Sequence, residues 1–256
     1  MASYFIYDSI NQYRSDNTVS EGQMTDSGTP TFSATSTITD HERASDQNIG
    51  TIISAVVDRD AIEYAVGSSV TANAAAVYFT GDDNVSSGTI MNFFVDTDRA
   101  SLPNKGTITA VSAAGWATTD LTETTGTKFF VEFTGAVTNV SEVLIGSKLS
   151  FEVEPDVNIQ SSIDYENSIQ RSLGGVEYAL NVNTGQEVTT IGFQNISSTF
   201  KTNLTTMQDA LKGEAKKFVW YDGSSFHWVR LDKPMTFTEI ADGRFSTQLV
   251  LRQQIQ

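Results

Sequence analysis

The chain has 256 residues, 39% of them hydrophobic, no cysteine, and 31 acidic against 16 basic residues for a net charge of −15. The length suits one large or two small domains, and the missing cysteine excludes disulfides, thiolate chemistry and cysteine metal sites. The negative balance excludes a grip on nucleic-acid phosphates, which needs a basic footprint.

The first predicted strand is "YFIYDSI", residues 4–10. Residues 11–48 are polar and turn-rich and read as a loop, short edge strands or an arm that orders on a partner. The start lacks a basic segment before an apolar run, and no window is as long as a membrane helix. The expectation is therefore synthesis in a cytoplasm without membrane insertion.

From residue 49 short β-branched runs alternate with turn signals. "GTIISAVVDRD", "ANAAAVYFTGDDN", "GTIMNFFVDTD", "GTITAVSAAGW", "TKFFVEFTGAV" and "VSEVLIGSKLSFEVEP" read as strands every 10–15 residues, with no helix between them. That spacing predicts a β-sandwich or jelly roll over 49–150. A boundary falls near 150–160. Residues 1–150 carry 18 acids and 7 bases, net −11, and residues 151–256 carry 13 and 9, net −4.

Past Pro155, "SIQRSLGGVEYALNVNTGQEVTTIGFQNIS" reads as two strands around a turn at Asn183 to Gly185. One helix follows near 199–212. Phe200, Leu204, Met207 and Leu211 fall on one helical face, Ser197 or Ser198 suits the N-cap, and Gly213 suits the C′ position. "FVWY" and "FHWVRL" then flank "DGSS" as a hairpin, and "MTFTEI" with "RFSTQLVLRQQ" closes the chain. Alternation groups Phe218 with Trp220 and Phe226 with Trp228. The expectation is that both tryptophans pack as core against the helix rather than forming a sugar platform.

Few residues invite chemistry. His41 and His227 are the two histidines, and no Gly-x-Ser-x-Gly elbow partners either. Aspartate pairs at Asp58/Asp60, Asp82/Asp83 and Asp96/Asp98 sit where strands meet turns. They read as solvated turn acids that bind at most a weak divalent cation, for no complete calcium loop is present. Gly146, Gly174 and Gly175 lack the helix that a phosphate loop requires and read as bends or bulges. No catalytic, cofactor or metal residue is assigned, and the chain is expected not to be an enzyme.

The run from "NVSEVLIGSKLSFEVEP" through "IQRSLGGVEY", the helix, "FVWYDGSSFHWVRL" and "FSTQLVLRQ" resembles tailed-bacteriophage minor tail proteins of the distal tail, or tail-hub, type. It covers roughly residues 139–256 as an order of elements. "ANAAAVYFTGDDN" and "VEFTGAVTNVSEVLIG" are similar, more loosely, to discoidin-type jelly rolls. The resemblance implies a mostly β chain in three parts: an N-terminal strand and polar arm (1–48), a jelly-roll-like β-sandwich (49–150), and a tail-tube-like β domain with one packed helix (151–256). It also implies a virion protein in a homo-oligomeric ring around the tail channel, beside the tail tube protein and other tail-tip proteins. DNA would pass that channel without specific binding, as an acidic lining repels phosphate. The alternative is a virion carbohydrate-binding module, with the N-terminal half contacting a host surface glycan.

Overall fold

A computed structural model of the chain describes residues 3–8, 18–24, 32–33, 38, 40, 44, 46–53, 60–81, 90–96, 104–110, 113–135, 139–155, 159–165, 168–171, 177–180 and 185–254. The chain is mostly β, with a single helix among the described residues. It divides into two compact units, residues 4–149 and residues 150–256 joined by 1–3.

The 4–149 unit holds β1 (Tyr4–Asp8), β2 (Thr18–Met24), β3 (Phe32–Ser33), β4 (Asp60–Phe79), β5 (Ile90–Asp96), β6 (Asn104–Thr109), β7 (Gly115–Phe133) and β8 (Val140–Ser150). Its frame is the antiparallel pair β4 and β7, whose register shifts between Ala65 and Val70 and again between Ala72 and Ala74. Such bulges bend long strands, and each half of β4 then finds different neighbours. The first half pairs β2, from Thr18 opposite Ala65 to Gln23 opposite Asp60. The second half pairs β8, from Ala74 opposite Gly146 to Phe79 opposite Val140. β5 lies between β6 and β7.

Alternate residues from both halves enter one core. Ile62 and Tyr64 join Val77 and Phe79, with Phe93, Phe129, Val131, Val143 and Ile145. This is the period-2 pattern of strands with one face buried. Lys128 Nζ reaches Glu63 Oε1 at 2.6 Å across the β4–β7 ladder.

Several expectations change here. β4 begins at Asp60, and β7 runs unbroken through the threonine-rich "ATTDLTETTG", which carried no strand signal. Threonine is at home on a pleated surface, and Thr71 and Thr125 hydrogen-bond across the ladder at 2.6 Å. In "GTIISAVVDRD" residues 50–53 are turn and irregular chain instead of strand, with Thr51 N–H donating to Asn48 O, and among its described residues Asp60 alone is in a strand. β2 and β3 lie within the stretch read as a polar arm, and β2 pairs β4 along six residues. Asp60 is fully buried, not a solvated turn acid.

The 150–256 unit holds β9 (Gln160–Asp164), β10 (Ser168–Arg171), β11 (Glu177–Leu180), β12 (Gln186–Ser197), α1 (Ser198–Ala210), β13 (Lys217–Tyr221), β14 (Phe226–Leu231), β15 (Thr236–Ala241) and β16 (Arg244–Gln253). Its sheet runs β13-β14-β16-β12-β9, with β15 also on β16; β10 and β11 form a separate two-stranded ladder. β9 and β10 are additions to the two strands read in this region; β11 and β12 lie on either side of the turn read at Asn183 to Gly185, of which Gly185 alone is described.

α1 starts because Ser197, in extended conformation, accepts from the Phe200 N–H at 3.1 Å. Phe200, Leu204, Met207 and Leu211 are all buried. The helix packs on β12 and β16, where Phe200 meets Phe193 edge-on at 5.9 Å between ring centroids. Its end differs from expectation by one residue. Lys212 N–H donates to Asp209 O and Gly213 N–H to Gln208 O, a Schellman pair that puts Lys212, at φ 54°, in the left-handed C′ position.

The hairpin register corrects a second point. Trp220 lies opposite His227, and Val219 lies opposite Trp228. Trp220 therefore shares a face with Phe218, His227 and Val229, while Trp228 shares the other with Val219, Tyr221 and Phe226. Both indoles are buried, at 5% and 4% exposure, but on opposite faces, so they do not form one stack over the helix.

Candidate functional site

Three features of the 150–256 unit place chemistry at or near its surface. The first is the β13–β14 turn, where Gly223 takes φ 101°. Asp222 Oδ1 accepts from the backbone N–H groups of Ser224 and Ser225, both at 2.7 Å, and from the Ser224 hydroxyl at 2.9 Å. Asp222 Oδ2 meets His227 Nε2 at 2.9 Å. Burial pushes the carboxyl's pKa up, but the hydrogen bonds from Ser225, His227 and Ser224 outweigh it and hold it well below the usual carboxylate range. The imidazole in turn lies against the Trp220 indole, 4.8 Å between centroids and tilted by 31°.

This arrangement is a turn lock. The Ser224 hydroxyl is spent on Asp222 rather than aligned on His227, so the pair does not activate a nucleophile. A cleft of about 280 Å³ adjoins it, lined by Trp220, Asp222 and His227 from the hairpin, Leu251 and Gln253 from β16, and Glu187 and Thr189 from β12. Glu187 is held by the Ser161 hydroxyl. The Trp220 Nε1–H is buried and has no hydrogen-bond partner among the described residues, which ties the indole's role to packing.

The second feature lies on the opposite sheet face. Arg252 donates from Nε to Asp232 Oδ1 at 2.6 Å, from Nη2 to Asp164 Oδ2 at 2.9 Å and from Nη1 to Gln186 Oε1 at 3.3 Å. The bond to Asp232 comes first in raising the guanidinium pKa; burial opposes it, and the bond to Asp164 adds to it. The cluster ties β9, β12 and β16 together.

The third feature is apolar. Among the described residues five large hydrophobic side chains are exposed, and three of them, Ile159 (45%), Ile163 (61%) and Tyr165 (46%), lie on or beside β9. All three have odd numbers and so share one face of the strand. Gly185 makes room for two of them: a Cβ there would come within 2.7 Å of Ile163 Cγ2 and 2.8 Å of Tyr165 Cε1.

The residues singled out from sequence are not brought together. His227 is in the turn lock. Gly146 sits in β8 opposite Ala74, and Asp96 ends β5. His41, Asp58, Asp82, Asp83, Asp98, Gly174 and Gly175 lie outside the described residues. Among the described residues no group of three or more His, Asp or Glu is arranged to hold a metal ion. The β9 stripe was not anticipated. Its signal is the alternation in "IQSSIDY", which two adjacent serines make easy to pass over.

No family model and no curated protein matches the chain. Solved structures with partial likeness include the family 32 carbohydrate-binding module of AlyQ in complex with 4,5-unsaturated mannuronic acid. That pair has 22% identity, covers 46% of this chain and 93% of that one, and has a TM-score of 0.36. The family 32 module of Clostridium perfringens NanJ in complex with galactose has 13% identity, 54% and 97% coverage and a TM-score of 0.36. A Streptococcus pneumoniae fucose binding module has 12% identity, 54% and 94% coverage and a TM-score of 0.38. At such TM-scores the likeness carries no argument about this chain.

Proposed function

We propose that the chain is a structural protein of a phage virion, part of a ring of identical copies around the tail channel near the tail tip. Its neighbours would be the tail tube protein and other tip proteins. The observation that carries self-assembly, the first requirement of this reading, is where the apolar surface lies: among the described residues three of five exposed large hydrophobic side chains lie on or beside β9, the last strand of its sheet. Sheet edges are templates for pairing with another chain, and soluble proteins usually blunt them with charge or proline. Here the edge offers isoleucine, tyrosine and serine, and its one charge, Asp164, is paired with Arg252. By contrast all three tryptophans, Trp116, Trp220 and Trp228, are buried and offer no sugar platform. The order of elements in the 150–256 unit, with strands on one helix and a "WYD" hairpin before the last strand, is the order that the tail-protein resemblance implies. The net charge of −15 suits a channel that lets DNA slide past.

Negative-stain microscopy of the purified full chain tests this reading. Closed rings with an open centre are expected, with no signal on a glycan array. A monomer at every concentration that binds a defined glycan would replace it with the carbohydrate-binding alternative.

A further inference from the structure

From the edge chemistry of β9 we infer that two copies of this chain pair antiparallel through that strand, on a two-fold axis at Ser162. This goes beyond the ring reading and stands without it.

Among the described residues β9 has one strand partner, β12, from Gln160 opposite Thr190 to Asp164 opposite Gln186. Its other edge is the one that a second chain would meet. In a register centred on Ser162, Ile159 faces Tyr165 of the second copy, Gln160 faces Asp164, Ser161 faces Ile163, and Ser162 faces itself. Every pair is compatible. The odd positions give one face an apolar stripe, with Ile159, Ile163 and Tyr165 contributed twice and each Ser161 set opposite an Ile163. The even positions give the other face two Gln–Asp pairs, in which an amide N–H donates to a carboxylate, around a central pair of serine hydroxyls.

Charge favours this strand for self-contact. A chain of net charge −15 repels its own copies over most of its surface. Residues 159–165 carry one charge, Asp164, and Arg252 Nη2 already pairs it at 2.9 Å. In the Ser162 register the two Asp164 side chains are kept apart, each opposite a glutamine. A two-fold contact of this kind is isologous, whereas a ring needs a head-to-tail contact elsewhere; both together set two rings back to back.

The full chain lacks cysteine, so single cysteines report the register directly. Directly opposed Cβ atoms of an antiparallel pair lie about 4.5–5.5 Å apart, close enough to be drawn into a disulfide. Under mild oxidation Ser162→Cys should form a covalent dimer at least about tenfold faster than Ser161→Cys, which faces Ile163 in this register. Ile163→Glu should halve the mass of the assembled wild-type species by light scattering while leaving the far-ultraviolet circular dichroism spectrum unchanged, since Ile163 is exposed in the single chain. Equal cross-linking of the two cysteine variants, or a mass that Ile163→Glu leaves unchanged, would overturn the inference. Rings whose mass ignores Ile163→Glu would sink the two-fold seam and leave the ring reading standing. A two-chain species lost in Ile163→Glu, with nothing larger in wild type, would do the reverse.

Discussion

At the residue scale the hairpin tryptophans test whether this region is core. Each is at most 5% exposed, so truncation leaves a cavity. Trp220→Ala and Trp228→Ala should each cost about 3–5 kcal/mol, a large share of the roughly 5–15 kcal/mol that stabilises a domain. Thermal melts read this directly, and an unchanged midpoint in both would return the hairpin to consideration as a ligand platform. Because the two rings lie on opposite faces, their losses should come close to adding in the double variant.

Asp222 gives the pH dependence. Its folded pKa is depressed, so its stabilisation is fully present above the unfolded value, about 3.9, and is lost as pH falls through and below that range. Wild type should melt above Asp222→Asn at pH 7, and the gap should start to narrow below about pH 5 and go on narrowing well below pH 3. A gap that stays constant over that window would show that the carboxylate is not the group being held.

At the element scale α1 shows how much a sequence can reveal when local signals agree. Its apolar stripe, its serine cap and its glycine-marked end all point to one helix, and the helix is there. The one-residue error at the C-terminus has a plain cause. Glycine is the usual left-handed C′ residue, yet here Lys212 takes that conformation and Gly213, at φ 68°, follows it. Lys212→Gly should therefore stabilise the protein, by about 1 kcal/mol, and Ser197→Ala should destabilise it by about 1 kcal/mol. Both shifts are readable in urea titrations, and a destabilising Lys212→Gly would contradict the Schellman assignment.

The strands were less legible for physical reasons. β7 hides behind threonines because partner strands, not its own hydrophobicity, stabilise it. β9 hides because four of its five residues are polar; only the ladder to β12 and the arginine cluster make it a strand. Which face a hairpin residue occupies depends on register, and "DGSS" alone does not fix it. The four-residue turn sets Tyr221 against Phe226 and so separates Trp220 from Trp228. The alternation in "IQSSIDY" marks a strand face but does not say that the face is exposed, since an exposed isoleucine and a buried one look alike until the sheet order is known.

At the scale of the whole molecule the acidic surface and the β9 edge oppose each other. Self-repulsion at a net charge of −15 works against assembly, while an apolar edge works for it. Salt screens the first, with a Debye length of about 30 Å at 0.01 M and 10 Å at 0.1 M, and leaves the second largely intact. Assembly should therefore strengthen as ionic strength rises. Sedimentation velocity over a salt series checks the sign, and dissociation on adding salt would mean that ion pairs rather than apolar contacts hold the copies together.

On the proposed function, copies of this chain assemble with one another. Native mass spectrometry of the purified full-length protein tests it most directly. A single dominant closed oligomer whose mass is an integer multiple of the chain's, persisting on dilution, is expected. A spectrum of monomer alone at every concentration and salt would contradict it.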